Sequence, residues 1–171
     1  LKAISFLLVT LILPASFLLP APAVAQFANG ALERHLEGQL LAETMTPAPG
    51  ETITLAFHMT PDKGWHGYWE NPGDAGLGMT AHWELPQGVS AGNLEYPVPH
   101  TLVISGLMNH VYESDYAVLV PLSIPENTVK GTKIPVRVSA TALVCDDKLC
   151  VPKDFNLSHD LVVGDGAITP E

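Results

Sequence analysis

Residues 134–163 read IPVRVSATALVCDDKLCVPKDFNLSHDLVV, and the arrangement of this stretch decides the fold. From Ile134 to Val144 every second residue is small or apolar (Ile134, Val136, Val138, Ala140, Ala142, Val144), which is the two-residue period of a strand with one face in a core. Phe155 to Val163 alternates less cleanly. Between them, Asp146-Asp147-Lys148-Leu149 opens with turn-forming residues and has the length of a common hairpin loop. A hairpin closed there sets Cys145 opposite Cys150 and Val144 opposite Val151. The upstream alternation then assigns the valines to the core face and the cysteines to the outward face. Directly opposed antiparallel residues have Cα atoms about 4.5–5.5 Å apart, inside the span a disulfide tolerates.

Two further stretches carry the same period. Ile53, Leu55, Phe57 and Met59 alternate within 52–59, and Tyr116, Val118, Val120, Leu122 and Ile124 within 116–124. Weaker strand candidates are 39–44, 65–69, 79–84 and 94–96, separated by turn-rich pieces such as Pro47-Ala48-Pro49-Gly50 and Asn71-Pro72-Gly73-Asp74. Residues 31–37 are expected to form one helical turn. Fifteen Pro and fourteen Gly leave little room for long helices, so the pattern predicts an antiparallel β-sandwich or barrel. The 171 residues suffice for one domain of ordinary size.

Residues 1–25, LKAISFLLVTLILPASFLLPAPAVA, have the layout of a secretory signal peptide: Lys2, an apolar run, and Ala23-Val24-Ala25 as a small-residue cleavage site. Pro14, Pro20 and Pro22 cut the apolar run below the roughly 20 residues of a spanning helix. The expected organisation is signal peptide 1–25, lead-in 26–38, domain 39–163, and tail or linker 164–171. Export to an oxidising compartment favours a disulfide between Cys145 and Cys150, which are the two cysteines of the chain.

Spacing leaves the purpose of that bond open. A ring of about six residues stabilises by only about 2.2 kcal/mol in the chain-entropy model, against about 4.7 for a 100-residue loop, so it is a weak staple. A small structural clip, redox exchange and metal binding all fit. The segment 65–76, WHGYWENPGDAG, could form a sugar platform, but such aromatics more often serve packing. Seven His and four Met, with the cysteines, allow a copper-binding alternative, although no two His stand at ligand spacing and Met59 is on a core face. The net charge of −10 without a Lys/Arg cluster argues against nucleic acid as a partner. Phosphate loops and serine nucleophile elbows are absent from the sequence.

Taken together, GYWENPGDAG (67–76), LEYPVPHTLVISGLMNHVYESDY (94–116) and CDDKLCVP (145–152) resemble the amino-terminal periplasmic domain of the DsbD/ScsB group of thiol:disulfide interchange proteins, the disulfide bond corrector domain. The resemblance implies an immunoglobulin-like antiparallel β-sandwich that needs no cofactor. Its cysteine pair takes electrons from a thioredoxin-like periplasmic donor and passes them to oxidised periplasmic proteins, making the domain part of a protein-disulfide reductase. A membrane-embedded reductase domain, in the same or another chain, supplies the donor. By position, Cys150 forms the mixed disulfides and Cys145 resolves them. The segment Leu107-Met108-Asn109-His110, after Gly106, matches a loop that caps the pair until a partner displaces it. DsbD itself has five residues between its cysteines and an aromatic cap; this chain has four and no aromatic between Gly106 and His110, closer to the ScsB-like branch. Asp146 and Asp147 beside the pair disfavour the thiolate, with Lys148 a partial offset, so Cys150 is expected to react slowly with small disulfides.

Overall fold

The computed structural model describes residues 35–168; the expected signal peptide and the first part of the lead-in lie outside them. Ten strands follow in chain order: β1 (Leu36–Ala42), β2 (Thr52–Pro61), β3 (Gly67–Gly73), β4 (Thr80–Glu84), β5 (Ser90–Ala91), β6 (His100–Ile104), β7 (Leu107–Tyr112), β8 (Tyr116–Ser123), β9 (Lys133–Cys145) and β10 (Cys150–Val162). Every pairing between them is antiparallel. One sheet runs β1-β2-β8-β5 and a second runs β10-β9-β4, and the core lies between them as an immunoglobulin-like β-sandwich.

The alternating runs build that core. Ile53, Leu55, Phe57 and Met59 from β2 meet Val118, Val120 and Leu122 from β8 and the even-numbered residues of β9 from Ile134 to Val144, all buried. A fully buried side chain of this kind stabilises by about 1.5–3 kcal/mol, so the period-two pattern carries most of the driving force. On β10 the inward residues are Val151, Lys153, Phe155, Leu157, His159 and Leu161. The pattern is blurred in sequence because β10 is an edge strand. Lys153 and His159 can sit half-buried there with their polar ends at the rim.

A third sheet, β3-β7-β6, lies beyond the sandwich and is tied to it by a bridge between His66 and Cys145. It overturns one expectation about the cysteines. Cys145 does face away from the main core, but the third sheet covers it and leaves it 1% exposed, with Tyr68 and Val111 against it.

Several boundaries also differ from expectation. No helical turn forms within the described part of 31–37: Leu36 and Glu37 pair with Pro61 and Thr60, and Leu36 is fully buried, so the domain begins before residue 39. The strand expected at 65–69 is shifted to β3 and runs through Asn71-Pro72-Gly73. The ladder is irregular between Tyr68 and Gly73, which accommodates a proline without losing a paired donor. Residues 94–96 contribute a single bridge, Glu95 to Leu119. Of the expected tail, Gly164 and Gly166 donate to the carbonyls of Pro47 and Thr46, and Ala167 accepts from the Thr44 hydroxyl, so this part is docked onto the sandwich.

Candidate functional site

The β9–β10 hairpin places the two cysteines. Thirteen register pairs run from Val162 opposite Lys133 to Cys150 opposite Cys145, with Val151 opposite Val144. The loop closes through the Asp146 amide donating to the Leu149 carbonyl at 2.9 Å. The amides of Lys148 and Leu149 donate to the Asp146 carboxylate at 2.8 and 2.6 Å. These bonds hold the Asp146 carboxyl below its ordinary range. Cys145 and Cys150 are joined in a disulfide with Cα atoms 4.1 Å apart. The two sulfur-bearing residues differ sharply in setting: Cys145 is buried and Cys150 is exposed.

Cys145 is also held from its other side. Its amide donates to the His66 carbonyl at 3.1 Å, and the His66 amide donates back to the Cys145 carbonyl at 2.9 Å. Residues that exchange both bonds in an antiparallel pair present their side chains on the same face. His66, Cys145 and Cys150 therefore form one cross-strand row. His66 is 2% exposed, and its Nε2 is hydrogen-bonded to the Tyr68 hydroxyl at 3.2 Å with the rings edge to face. Burial pushes the His66 imidazole below its ordinary value, against a smaller upward pull from Glu113, Asp147 and Asp146. Burial likewise raises Tyr68. Tyr68, Val111, Leu102 and Leu143 complete the apolar surroundings of Cys145.

The sequence reading counted His66 only among the histidines of the copper alternative and assigned the aromatics of 65–76, Tyr68 among them, to packing. The available signal was the two-residue spacing, which places both on one side of a strand. Gly67 between them is required by crowding, since a Cβ there would overlap the Tyr116 hydroxyl.

The segment matched to a capping loop is the tip of a β6–β7 hairpin. Ser105 and Gly106 have φ of 52° and 84°, which is how a two-residue turn matches the twist of its strands. Leu107 and Met108 are exposed there, Asn109 is buried, and His110 is half-buried. The Asn109 amide nitrogen donates to the Leu107 carbonyl at 3.1 Å, and its Oδ1 has no partner. His110 Nδ1 meets the Asn71 carbonyl at 2.9 Å and its ring abuts Trp69. Met108 exchanges bonds with Asp74, its amide reaching the carboxylate and its carbonyl accepting the Asp74 amide, each at 2.8 Å. From this hairpin, Leu102 and Val111 reach the Cys145 cluster.

Residues counted toward a copper site are dispersed. Met59 is in the core, His100 pairs with Glu113 at 2.6 Å, and His159 meets the Met45 sulfur at 2.9 Å. Among the described residues no three His, Cys, Asp or Glu side chains gather at metal-binding distance.

Comparison with known proteins identifies the family. The family model described as thiol:disulfide interchange protein DsbD, N-terminal, matches residues 37–160. Among solved structures, the N-terminal periplasmic domain of ScsB from Proteus mirabilis superposes with a TM-score of 0.57 at 17% identity, over 74% of this chain and 47% of that one. The chain thus spans about half the length of the ScsB structure it matches. The reduced DsbD N-terminal domain of Neisseria meningitidis has a TM-score of 0.42 at 13% identity, covering 77% of this chain and 93% of that one. A complex of the DsbD and PilB N-terminal domains from the same organism matches with a TM-score of 0.35 at 12% identity, over 92% and 96%. No curated protein sequence matches the chain.

Proposed function

The chain belongs to the DsbD N-terminal domain family of thiol:disulfide interchange proteins, and on that premise we propose that it is a periplasmic electron relay whose working parts are Cys145 and Cys150. The observation that carries this reading is the unequal exposure of the two cysteines. A donor thiolate can reach only the exposed Cys150. Its attack on the Cys150 sulfur forms a mixed disulfide and expels Cys145 as a thiolate, which takes up a proton. A second thiol of a thioredoxin-like donor then cleaves the mixed disulfide, leaving both cysteines reduced and the donor oxidised. In the onward half-cycle Cys150 attacks the disulfide of an oxidised periplasmic protein. Cys145 then displaces that partner and restores the internal bond. Two electrons and two protons are carried per turn.

Exposed apolar side chains are present on both segments that the reading invokes: Leu149 in the cysteine loop, and Val103, Leu107 and Met108 on the hairpin matched to the family's cap. They can shield a sulfur without offering it a proton, and on displacement they give a partner an apolar footing. Asp146 and Asp147 keep the free thiol protonated, so a docked partner is needed for fast exchange.

The test is trapping. With a thioredoxin-like protein presented in its disulfide form, the Cys150 thiol of Cys145→Ser attacks that disulfide and accumulates a mixed disulfide visible on a non-reducing gel, whereas Cys150→Ser forms none. Equal trapping by both variants, or by neither, overturns the proposal.

A further inference from the structure

Cys145 has a problem that its position creates. To resolve a mixed disulfide it must lose its thiol proton, yet it is 1% exposed, and burial in apolar surroundings opposes the thiolate. Water has little access to take that proton. A titratable group stands next to it on the same cross-strand row. The doubly hydrogen-bonded pairing with His66 puts the imidazole beside Cys145 on the side opposite Cys150. Tyr68, two residues on, touches both the imidazole and the Cys145 cluster.

We propose that His66 is the proton acceptor for Cys145, with Tyr68 fixing the orientation of its ring. This inference rests on the relay reading above and adds to it the route taken by the proton. When Nε2–H is donated to the Tyr68 oxygen, the lone pair on Nδ1 is left to accept. In the resolving step the thiol proton of Cys145 passes to His66. The Cys145 sulfur then attacks the Cys150 sulfur, the Cys150–partner bond breaks, and the electron pair leaves on the partner sulfur. In the reductive direction the imidazole takes up a proton from solvent and delivers it to the departing Cys145 thiolate.

The acceptor is available at neutral pH because burial keeps the imidazole uncharged. The charged and titratable groups acting on His66 from the surrounding elements are Glu113 after β7, Asp146 and Asp147 in the cysteine loop, and His100 on β6. The three carboxylates favour the imidazolium once the proton has moved, which is the sign a proton acceptor needs.

The resolving step can be isolated from any partner. Reduced protein is reacted at about pH 4 with 4,4′-dithiodipyridine, which labels exposed Cys150, and the adduct is jumped to values between about pH 5 and 9. Release of thiopyridone reports attack by Cys145. The native rate should be level around neutrality and fall only below the ordinary histidine value of about 6.5. His66→Gln should slow release at least about tenfold at pH 7, with a rate that climbs with pH until the thiol ionises unaided. Tyr68→Phe should lie between the two. A native profile with no break on the acid side overturns the proposal even if His66→Gln fails to fold; so does a folded His66→Gln protein with the native rate and profile. Failure of donor trapping would instead remove the relay reading, since the pyridyl adduct needs no partner.

Discussion

Reducing the Cys145–Cys150 bond should cost the domain little of its stability, and the size of that cost separates a carrier from a staple. The cysteines are five positions apart, so the bond closes a ring of about six residues. In the chain-entropy model that ring is worth about 2.2 kcal/mol. Its ends are also held without it: thirteen register pairs clamp β9 to β10, and Cys145 exchanges two further backbone bonds with His66. By the thermodynamic cycle, whatever the bond adds to the fold, the fold adds to the bond. About 2.2 kcal/mol corresponds to about 50 mV for a two-electron couple, a modest protection against reduction. Equilibrium urea unfolding of oxidised and dithiothreitol-reduced protein measures the difference directly. The expected result is two cooperative transitions of similar slope, separated by about 2 kcal/mol, or roughly 5–10 °C in Tm. A loss above about 4 kcal/mol, or a reduced form without a cooperative transition, would show that the bond is a structural requirement and refute this reasoning.

Two other perturbations follow from the site. Gly67→Ala sets a Cβ against the hydroxyl of Tyr116, a half-buried side chain whose ring stacks on Tyr112, so overpacking should lower stability by about 1–3 kcal/mol in urea and displace the His66–Tyr68 pair. Unchanged stability would mean that β3 has room to shift. Asp146→Ala removes the acceptor for two loop amides and should speed hydrogen exchange at Lys148 and Leu149. Because the folded Asp146 carboxyl ionises below its unfolded value, its contribution is full above the ordinary carboxylate range and fades as pH falls through the folded value. The exchange difference between native protein and Asp146→Ala should therefore be present at neutrality and shrink in acid.

The parts of this fold legible in sequence were those governed by one interaction at a time. The runs in 52–59, 116–124 and 134–144 alternate because one face meets the core and the other does not, and each became a long strand. The cysteine hairpin was legible because four residues with Asp in the lead can close a loop locally. The third sheet was not, since its strands lie over the outer face of a sandwich and show no clean apolar period: β3 has Gly-Tyr-Trp-Glu-Asn-Pro-Gly. Ser105-Gly106 between alternating residues was a turn signal that could have been read as a hairpin. The burial of Cys145 depended on that unseen sheet, so a period-two argument could assign its face but not its exposure.

The same covering sheet accounts for the division of labour proposed for the two cysteines. Without it, Cys145 and Cys150 would stand side by side on an open face, and a partner could attack either one. With it, Cys145 is held by paired backbone bonds to His66 on one side and lies opposite β10 on the other, while Cys150 opens an edge strand at the end of an exposed loop. In the proposed relay the cysteine that meets partners is thus the exposed one, and the one that resolves the mixed disulfide is held in place. Resolution then needs only the return of Cys150 to a stationary neighbour, a short intramolecular step whose effective concentration is high because one of the two reactants never leaves.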